Sequence, residues 1–315
     1  MLARAMRPGT AHTIVCMSSA SPVPRVVPPV VIEPWLDSSM ADARLGRWSI
    51  VASDPRWTLT AYGGDVVIET ASGPRRLAPG ALHAFARAVE AEPRAVLPVD
   101  APSLPFVGGA IGVLGFELGR EVERLPATTR DDVGAPDLAF GWYDAALVWD
   151  GERGEGWLVR RVEAVHALRA RLAARAGAPP SAASAGVLRS NMSRAAYLRA
   201  VARARDYIAA GDIYQVNLAQ RFSAPFGGHG FDLYQRLRSV SPAPFAAYLD
   251  LRGDFGGVEV LSSSPERFLL ADGDRLETRP IKGTRPARCA ARRGCAARRC
   301  TPRQREGSRR APDDR

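Results

Sequence analysis

The sequence predicts an α+β protein, and three observations carry that prediction. Short apolar or alternating runs recur along most of the chain, bounded by Gly, Asp or Pro. That is the pattern of strands joined by tight turns. A few longer stretches space their apolar residues three and four apart, as a helix does. Hydrophobic residues make up 46% of the 315, enough to bury a real core. The length suits about two domains or one large one.

The net charge of +10 is unevenly placed. Residues 287–315 hold ten arginines against three acids, a net of +7, and the rest of the chain carries only +3. The body therefore lacks the basic face of a nucleic-acid binder. Cys289, Cys295 and Cys300 lie in that tail, and only Cys16 precedes it. No disulfide framework or zinc spacing is visible, and no residue is assigned as a metal ligand. A cysteine-poor body fits a cytoplasmic location. No apolar run reaches transmembrane length, so no membrane association is expected.

Residues 1–29, rich in Pro, Ser and Ala, are expected to be unstructured. The first acid is Glu33, which faintly suggests a transit peptide; a disordered start or an early-assigned translation start is the competing reading. Residues 48–52 and 57–62 read as strands around an Asp54-Pro55 turn. Gly63-Gly64 is the next turn and residues 66–68 the next strand. Leu82, Phe85, Ala86 and Val89 mark a helix over 80–92.

Residues 104–119 are rich in glycine but lack the dinucleotide fingerprint. Their small residues are read as letting a strand and a helix approach closely. Residues 138–149 read as one strand, 157–163 as another and 164–176 as a helix. Ala, Pro, Ser and Gly over 176–186 suggest a linker.

Ser193 is placed to cap a helix through Ala210, with Tyr197, Val201, Ala204 and Ile208 on one face and Gly211 closing it. Residues 214–222 alternate as a strand, with Gln215, Asn217 and Arg221 on its polar face. A short helix over 231–239 and strands over 246–251, 258–262, 267–270 and 276–281 follow. Residues 287–315 contain no Val, Ile, Leu, Met, Phe, Trp or Tyr. Such a segment cannot offset the entropy of folding by burial. It is either a disordered basic tail or a GC-rich gene read out of frame, and the abrupt change inside a strand-rich motif favours the second. The expected organisation is an N-terminal region over 30–176, a linker over 177–190 and a catalytic region over 191–286.

Lys282 is the only lysine, against 42 arginines. An arginine keeps its proton, while a desolvated lysine becomes a neutral nucleophile. The competing reading is a surface lysine left by a GC-biased gene. Glu266 is its natural partner: a poised carboxyl can protonate a leaving hydroxyl that otherwise departs as hydroxide. The competing reading for Glu266, ranked first on the residues alone, is a salt bridge to Arg267 or Arg279. His12, His83, His166 and His229 form no visible cluster.

Three segments carry a resemblance: Ser263-Ser264-Pro265-Glu266-Arg267-Phe268, Pro280-Ile281-Lys282-Gly283-Thr284-Arg285-Pro286 and Gly211-Asp212-Ile213-Tyr214-Gln215-Val216-Asn217-Leu218. Together they closely resemble the chorismate-utilising enzymes, which include anthranilate synthase component I, isochorismate and salicylate synthases and aminodeoxychorismate synthase component I. Residues 104–119 and Ala135-Pro136-Asp137-Leu138 are similar to that family's N-terminal half. The resemblance covers about residues 30–286. Anthranilate and salicylate synthases typically carry alanine where this chain has Lys282; lysine there resembles the aminodeoxychorismate synthases.

The resemblance implies a fold of two large, mostly antiparallel sheets packed face to face with helices outside. It implies that Lys282 attacks C2 of chorismate while the C4 hydroxyl leaves with help from Glu266. Ammonia then adds at C4 and expels the lysine, giving 4-amino-4-deoxychorismate for para-aminobenzoate and folate synthesis. Gly283 and Thr284 are implied to bind a substrate carboxylate. A tryptophan-binding site is implied at Ser38, Leu45, Gly46, Arg47, Trp48, Pro244, Phe245 and Ala246; the competing reading makes Trp48 and Phe245 plain core aromatics.

The family's usual partner is a glutamine amidotransferase subunit delivering ammonia, and its cofactor is Mg²⁺. The glutamates that bind Mg²⁺ in the family lie beyond the portion this chain resembles, so the chain as written is expected to be incomplete and inactive. Anthranilate synthase component I and a non-catalytic piece with a basic tail are the alternatives. Neither nucleic acid nor membrane is expected as a partner.

Overall fold

The computed structural model describes residues 12–17, 34–40, 45–93, 102–128, 131–161, 184–251 and 257–281. The first strands are β1 (His12–Met17), β2 (Pro34–Asp37), β3 (Trp48–Ala52), β4 (Trp57–Tyr62), β5 (Asp65–Thr70) and β6 (Gly73–Leu77). Helix α1 (Ala81–Glu90) is followed by β7 (Gly109–Leu114), a 3-10 helix (Phe116–Glu121), β8 (Leu138–Tyr143), β9 (Ala145–Asp150) and β10 (Glu155–Arg161). Two short strands, β11 (Ser184–Ala185) and β12 (Arg189–Ser190), precede α2 (Arg194–Ala210). Then come β13 (Phe222–Ser223), β14 (Phe226–Gly227), α3 (Gly230–Val240), β15 (Phe245–Leu251), β16 (Val258–Ser264), β17 (Leu270–Asp272) and β18 (Arg275–Glu277).

Two sheets dominate. One has seven strands in the order β1-β10-β9-β3-β2-β15-β16, the other five in the order β6-β5-β4-β8-β7. Every pairing is antiparallel. Alternation along each strand sends successive side chains to opposite faces. Ala52, Ala146, Leu249 and Leu251 of the larger sheet meet Ile111, Ala139 and Tyr143 of the smaller one. On the far side of the larger sheet, Val51, Ala246 and Tyr248 pack with Phe231 and Tyr234 of α3. On the far side of the smaller sheet, Trp57, Leu59 and Leu138 pack with α1 and Leu118 of the 3-10 helix. The result is helix, sheet, sheet, helix, with one apolar cluster per interface. The expected two packed antiparallel sheets with outer helices are what the chain forms.

The helices start and stop for local reasons. The Ser193 hydroxyl accepts from the Ala196 N–H, and Gly211, at φ 84°, closes α2 in the left-handed conformation. Helix α1 begins after Gly80 without a side-chain cap of its own. Both oxygens of Glu121 fill that role, accepting from the N–H groups of Ala81 (2.6 Å) and Leu82 (3.0 Å).

The structure departs from the sequence reading in several places. Residues 1–29 include a strand, His12–Met17, paired with β10 along its length. The stretch 138–149 is two strands in different sheets, broken at Asp144. The glycine-rich stretch brings strand against strand: a Cβ on Gly112 would lie 2.0 Å from the Ala139 carbonyl oxygen. On α1, Ala88 faces the core and Ala86 does not. Strand β6 was not foreseen.

Residues 214–221 form no strand, and Tyr214 is 95% exposed. Alternation alone does not make a strand; a neighbouring edge must take its backbone N–H and C=O groups, and among the described residues that happens only at Arg221, whose carbonyl accepts from the Asn191 N–H at 3.0 Å. For the same reason the strands expected over 267–270 and 276–281 shrink to β17 and β18. On α2, Tyr197, Val201 and Ala204 are half-buried, while Ile208 is exposed. The helix expected over 164–176 and the first half of the linker, residues 177–183, lie outside the described residues. The described end of the linker forms β11 and β12, which pair with β14 and β13.

Candidate active site

Strand β16 is one edge of the larger sheet, and it delivers the Ser-Ser-Pro-Glu segment. Ser263 lies opposite Ala246 and Ser264 opposite Phe245. The Ser263 hydroxyl bonds the Ser241 carbonyl at 2.6 Å, tying the strand end to the end of α3. Pro265 follows and has no N–H to continue a ladder. Glu266 is exposed, and its carboxylate has no partner among the described residues.

The salt bridge expected at Glu266 goes elsewhere. The β17–β18 hairpin sets Glu277 opposite Leu270. Arg267 Nη1 reaches Glu277 Oε1 at 2.6 Å, and Arg279 binds both oxygens, through Nε at 2.8 Å and Nη2 at 3.1 Å. Arg275 adds a longer contact at 3.4 Å. The hydrogen bond from Arg279 is the main reason the Glu277 carboxyl lies below its ordinary range; burial opposes it, and the charges of Arg279 and Arg267 reinforce it. The Thr278 hydroxyl donates to the Phe268 carbonyl at 3.1 Å, so the outgoing arm of the hairpin returns beside the incoming one. Lys282, Gly283 and Thr284 lie outside the described residues, which end at Ile281.

The residues expected to bind tryptophan converge from both ends of the chain. Strand β15 pairs with β2, setting Ala246 opposite Asp37. The Ser38 hydroxyl then donates to the Pro244 carbonyl at 3.2 Å, across 206 residues. Gly46, Pro244 and Ala246 are buried; Ser38, Leu45, Arg47, Trp48 and Phe245 are half-buried. The Arg47 guanidinium stands 4.6 Å from the Trp48 ring centre, and Trp157 lies 6.0 Å away. Phe245 similarly carries the Arg267 guanidinium 5.3 Å from its ring.

Sequence reasoning missed the polar groups that support this cluster. Asp37, with its side chain 1% exposed, accepts from Arg238 Nε (2.7 Å), Ser49 (3.1 Å) and the Tyr234 hydroxyl (3.2 Å). Burial, then the Asp37 charge and hydrogen bond, push the Tyr234 hydroxyl well above the ordinary phenol range, against Arg238. Asp150, whose side chain is fully buried, takes Arg47 through Nε (3.0 Å) and Nη2 (2.7 Å) and the N–H groups of Glu152 and Arg153. Burial alone raises its carboxyl, but those hydrogen bonds outweigh burial and hold it below the usual value. The available signal was an acid at the last position of a strand, at Asp37 and Asp150.

A family model described as chorismate binding enzyme matches residues 37–298, running into the arginine-rich segment. The chain belongs to this family. It is 36% identical to aminodeoxychorismate synthase component 1 of Escherichia coli over 257 residues, covering 80% of this chain and 55% of that protein. The Klebsiella aerogenes protein of the same name is 38% identical over 273 residues, covering 82% and 56%. Anthranilate synthase component 1 of Thermus thermophilus is 40% identical over 263 residues, covering 80% and 54%. Among solved structures, anthranilate synthase component I of Streptococcus pneumoniae superimposes with a TM-score of 0.57 at 22% identity, covering 75% of this chain and 54% of that one. The last likeness shows the fold alone.

The chain spans about half the length of the curated relatives it matches. Among the described residues, no three His, Cys, Asp or Glu side chains converge as a metal site needs. Among the described residues, no helix is long and apolar enough to cross a membrane.

Proposed function

We propose that this chain is the N-terminal and early catalytic part of an aminodeoxychorismate synthase component I acting in the cytoplasm. The reaction converts chorismate and ammonia to 4-amino-4-deoxychorismate. The observation that carries the reading is the lone lysine of Pro280-Ile281-Lys282-Gly283-Thr284. The Lys282 amine forms a bond to C2, the ring double bond shifts, and the C4 hydroxyl leaves as water with a proton from Glu266. Ammonia bonds to C4, the double bond shifts back, and the C2–nitrogen bond to Lys282 breaks. An exposed Glu266 without a partner among the described residues supports its part as the acid. Gly283 and Thr284 offer donors to a substrate carboxylate.

The name "component 1" of the relatives supports a second subunit, here a glutamine amidotransferase that supplies the ammonia. The meeting of Ser38 with Pro244 supports tryptophan as a ligand of the N-terminal half. Mg²⁺ belongs to this reading through the family, and no step above is routed through it.

A second reading is anthranilate synthase component I, favoured by the 40% identity to the Thermus thermophilus protein. A product assay separates the two. Aminodeoxychorismate requires an added lyase to yield para-aminobenzoate, whereas anthranilate appears directly with pyruvate. Direct anthranilate formation sinks the first reading.

A further inference from the structure

Glu277 does no chemistry in the proposed reaction, yet it collects three arginines. Arg267 is the immediate neighbour of Glu266 in the chain, and Arg279 precedes Lys282 by three residues. Both bind Glu277. Arg267 is fixed from two sides, by the Glu277 oxygen at 2.6 Å and by the Phe245 ring at 5.3 Å from the guanidinium carbon. Glu277 is able to hold two guanidinium groups because the hairpin sets it between them in space. Its carboxylate accepts four of their N–H bonds counting Arg275.

From this geometry we propose that Glu277 is a positioning residue: it sequesters Arg267 and Arg279 and so keeps them from pairing with Glu266. This rests on the reading of Glu266 as the proton donor. A carboxylate clamped by guanidinium groups gives up its proton readily and does not regain it, so it makes a poor general acid. A motif that needs both arginines for packing must supply a second acid to occupy them. Replacing Glu277 with a neutral residue leaves two guanidinium groups without that partner; the nearest acid in the chain to Arg267 is then Glu266, and the nearest to Arg279 is Asp274. The same replacement leaves the sheets and helices untouched, because β17 and β18 form a separate two-stranded ribbon.

The test is the rate at which Glu266 reacts with a water-soluble carbodiimide and glycine ethyl ester, read by peptide mass mapping on the whole 315-residue chain. An ion-paired carboxylate reacts more slowly than a free one. Glu277→Gln is expected to slow labelling of Glu266 about threefold, the scale of one exposed ion pair. Glu277→Asp is expected to restore the rate, and so is Glu277→Gln combined with Arg267→Ala and Arg279→Ala. An unchanged rate in Glu277→Gln overturns the proposal, as does a slow rate that persists with both arginines gone. Ammonia-dependent chorismate turnover, in a protein carrying the whole family domain, is a separate arm. Labelling as expected, with turnover indifferent to Glu266→Gln, sinks the acid assignment and leaves the arginine diversion standing.

Discussion

The Arg56 guanidinium binds both carboxylate oxygens of Asp144, through Nε at 2.6 Å and Nη2 at 2.5 Å, across 88 residues. Each of the two residues sits where the chain leaves one sheet for the other. The first crossing runs from β3 to β4 through Asp54, at φ 56°, and the second from β8 to β9 at Asp144. Arg56 also holds Glu92 just past α1, and Trp57 and Trp142 stack beside it at 5.8 Å. One cation thus joins both crossings to the outer helix.

Arg56→Ala is therefore expected to destabilise the fold by about 1–2 kcal/mol, the scale of charge-assisted hydrogen bonds discounted for a partly exposed guanidinium. Urea unfolding measures it. Arg76→Ala, whose ion pair with Asp65 is exposed on both sides, should change little by comparison.

Gly112 lies opposite Phe140 in the β7–β8 ladder, and an added Cβ meets backbone at 2.0 Å and 2.7 Å. Backbone cannot rotate away as a side chain can. Gly112→Ala should cost about 3 kcal/mol or prevent folding. Thermal denaturation of this variant beside Gly134→Ala separates steric from conformational cost. Gly134 has open space but φ 66°, so its loss is the smaller one.

Asp150 sets an acid limit on stability. Its folded carboxyl lies below the ordinary aspartate value, so ionised Asp150 favours the folded state. That contribution is present above the unfolded value and is lost as pH falls through the folded one. The difference in urea midpoint between the unaltered chain and Asp150→Asn should be full near pH 7 and shrink below about pH 4.

Tyr234 sets an alkaline limit by the opposite sign. Its folded hydroxyl titrates well above the unfolded phenol, so the neutral form favours the folded state. That contribution is full below the unfolded value, about pH 10, and declines as pH rises from there toward the folded value. Tyr234→Phe, followed by urea unfolding from pH 8 to pH 11, should lose this alkaline decline. It should also cost about 1 kcal/mol at pH 7 for the lost bond to Asp37.

Local signals were legible where local physics decides. Ser193 and Gly211 bracket α2 as a cap and a left-handed stop, and Leu82, Phe85 and Val89 give α1 its buried face. Signals that need a distant partner were not. Nothing within 138–149 marks a break at Asp144; the break exists because Arg56 and a second sheet await it. Alternation over 214–222 promised a strand, but only its end, at β13, meets a neighbouring edge among the described residues. At the site, Ser38 and Pro244 were named and do meet, while Asp37, Tyr234 and Arg238 were missed because burial alone reveals them. Glu266 was read with two competing fates, and only the hairpin geometry of Glu277 decides against the salt bridge.

The most direct measurement is ammonia-dependent formation of aminodeoxychorismate, coupled to its lyase, in a protein carrying the whole family domain with Lys282 or with Lys282→Ala. The account predicts loss of product by about 100-fold or more, as covalent and acid–base groups contribute on that scale. Product formation undiminished by Lys282→Ala contradicts it.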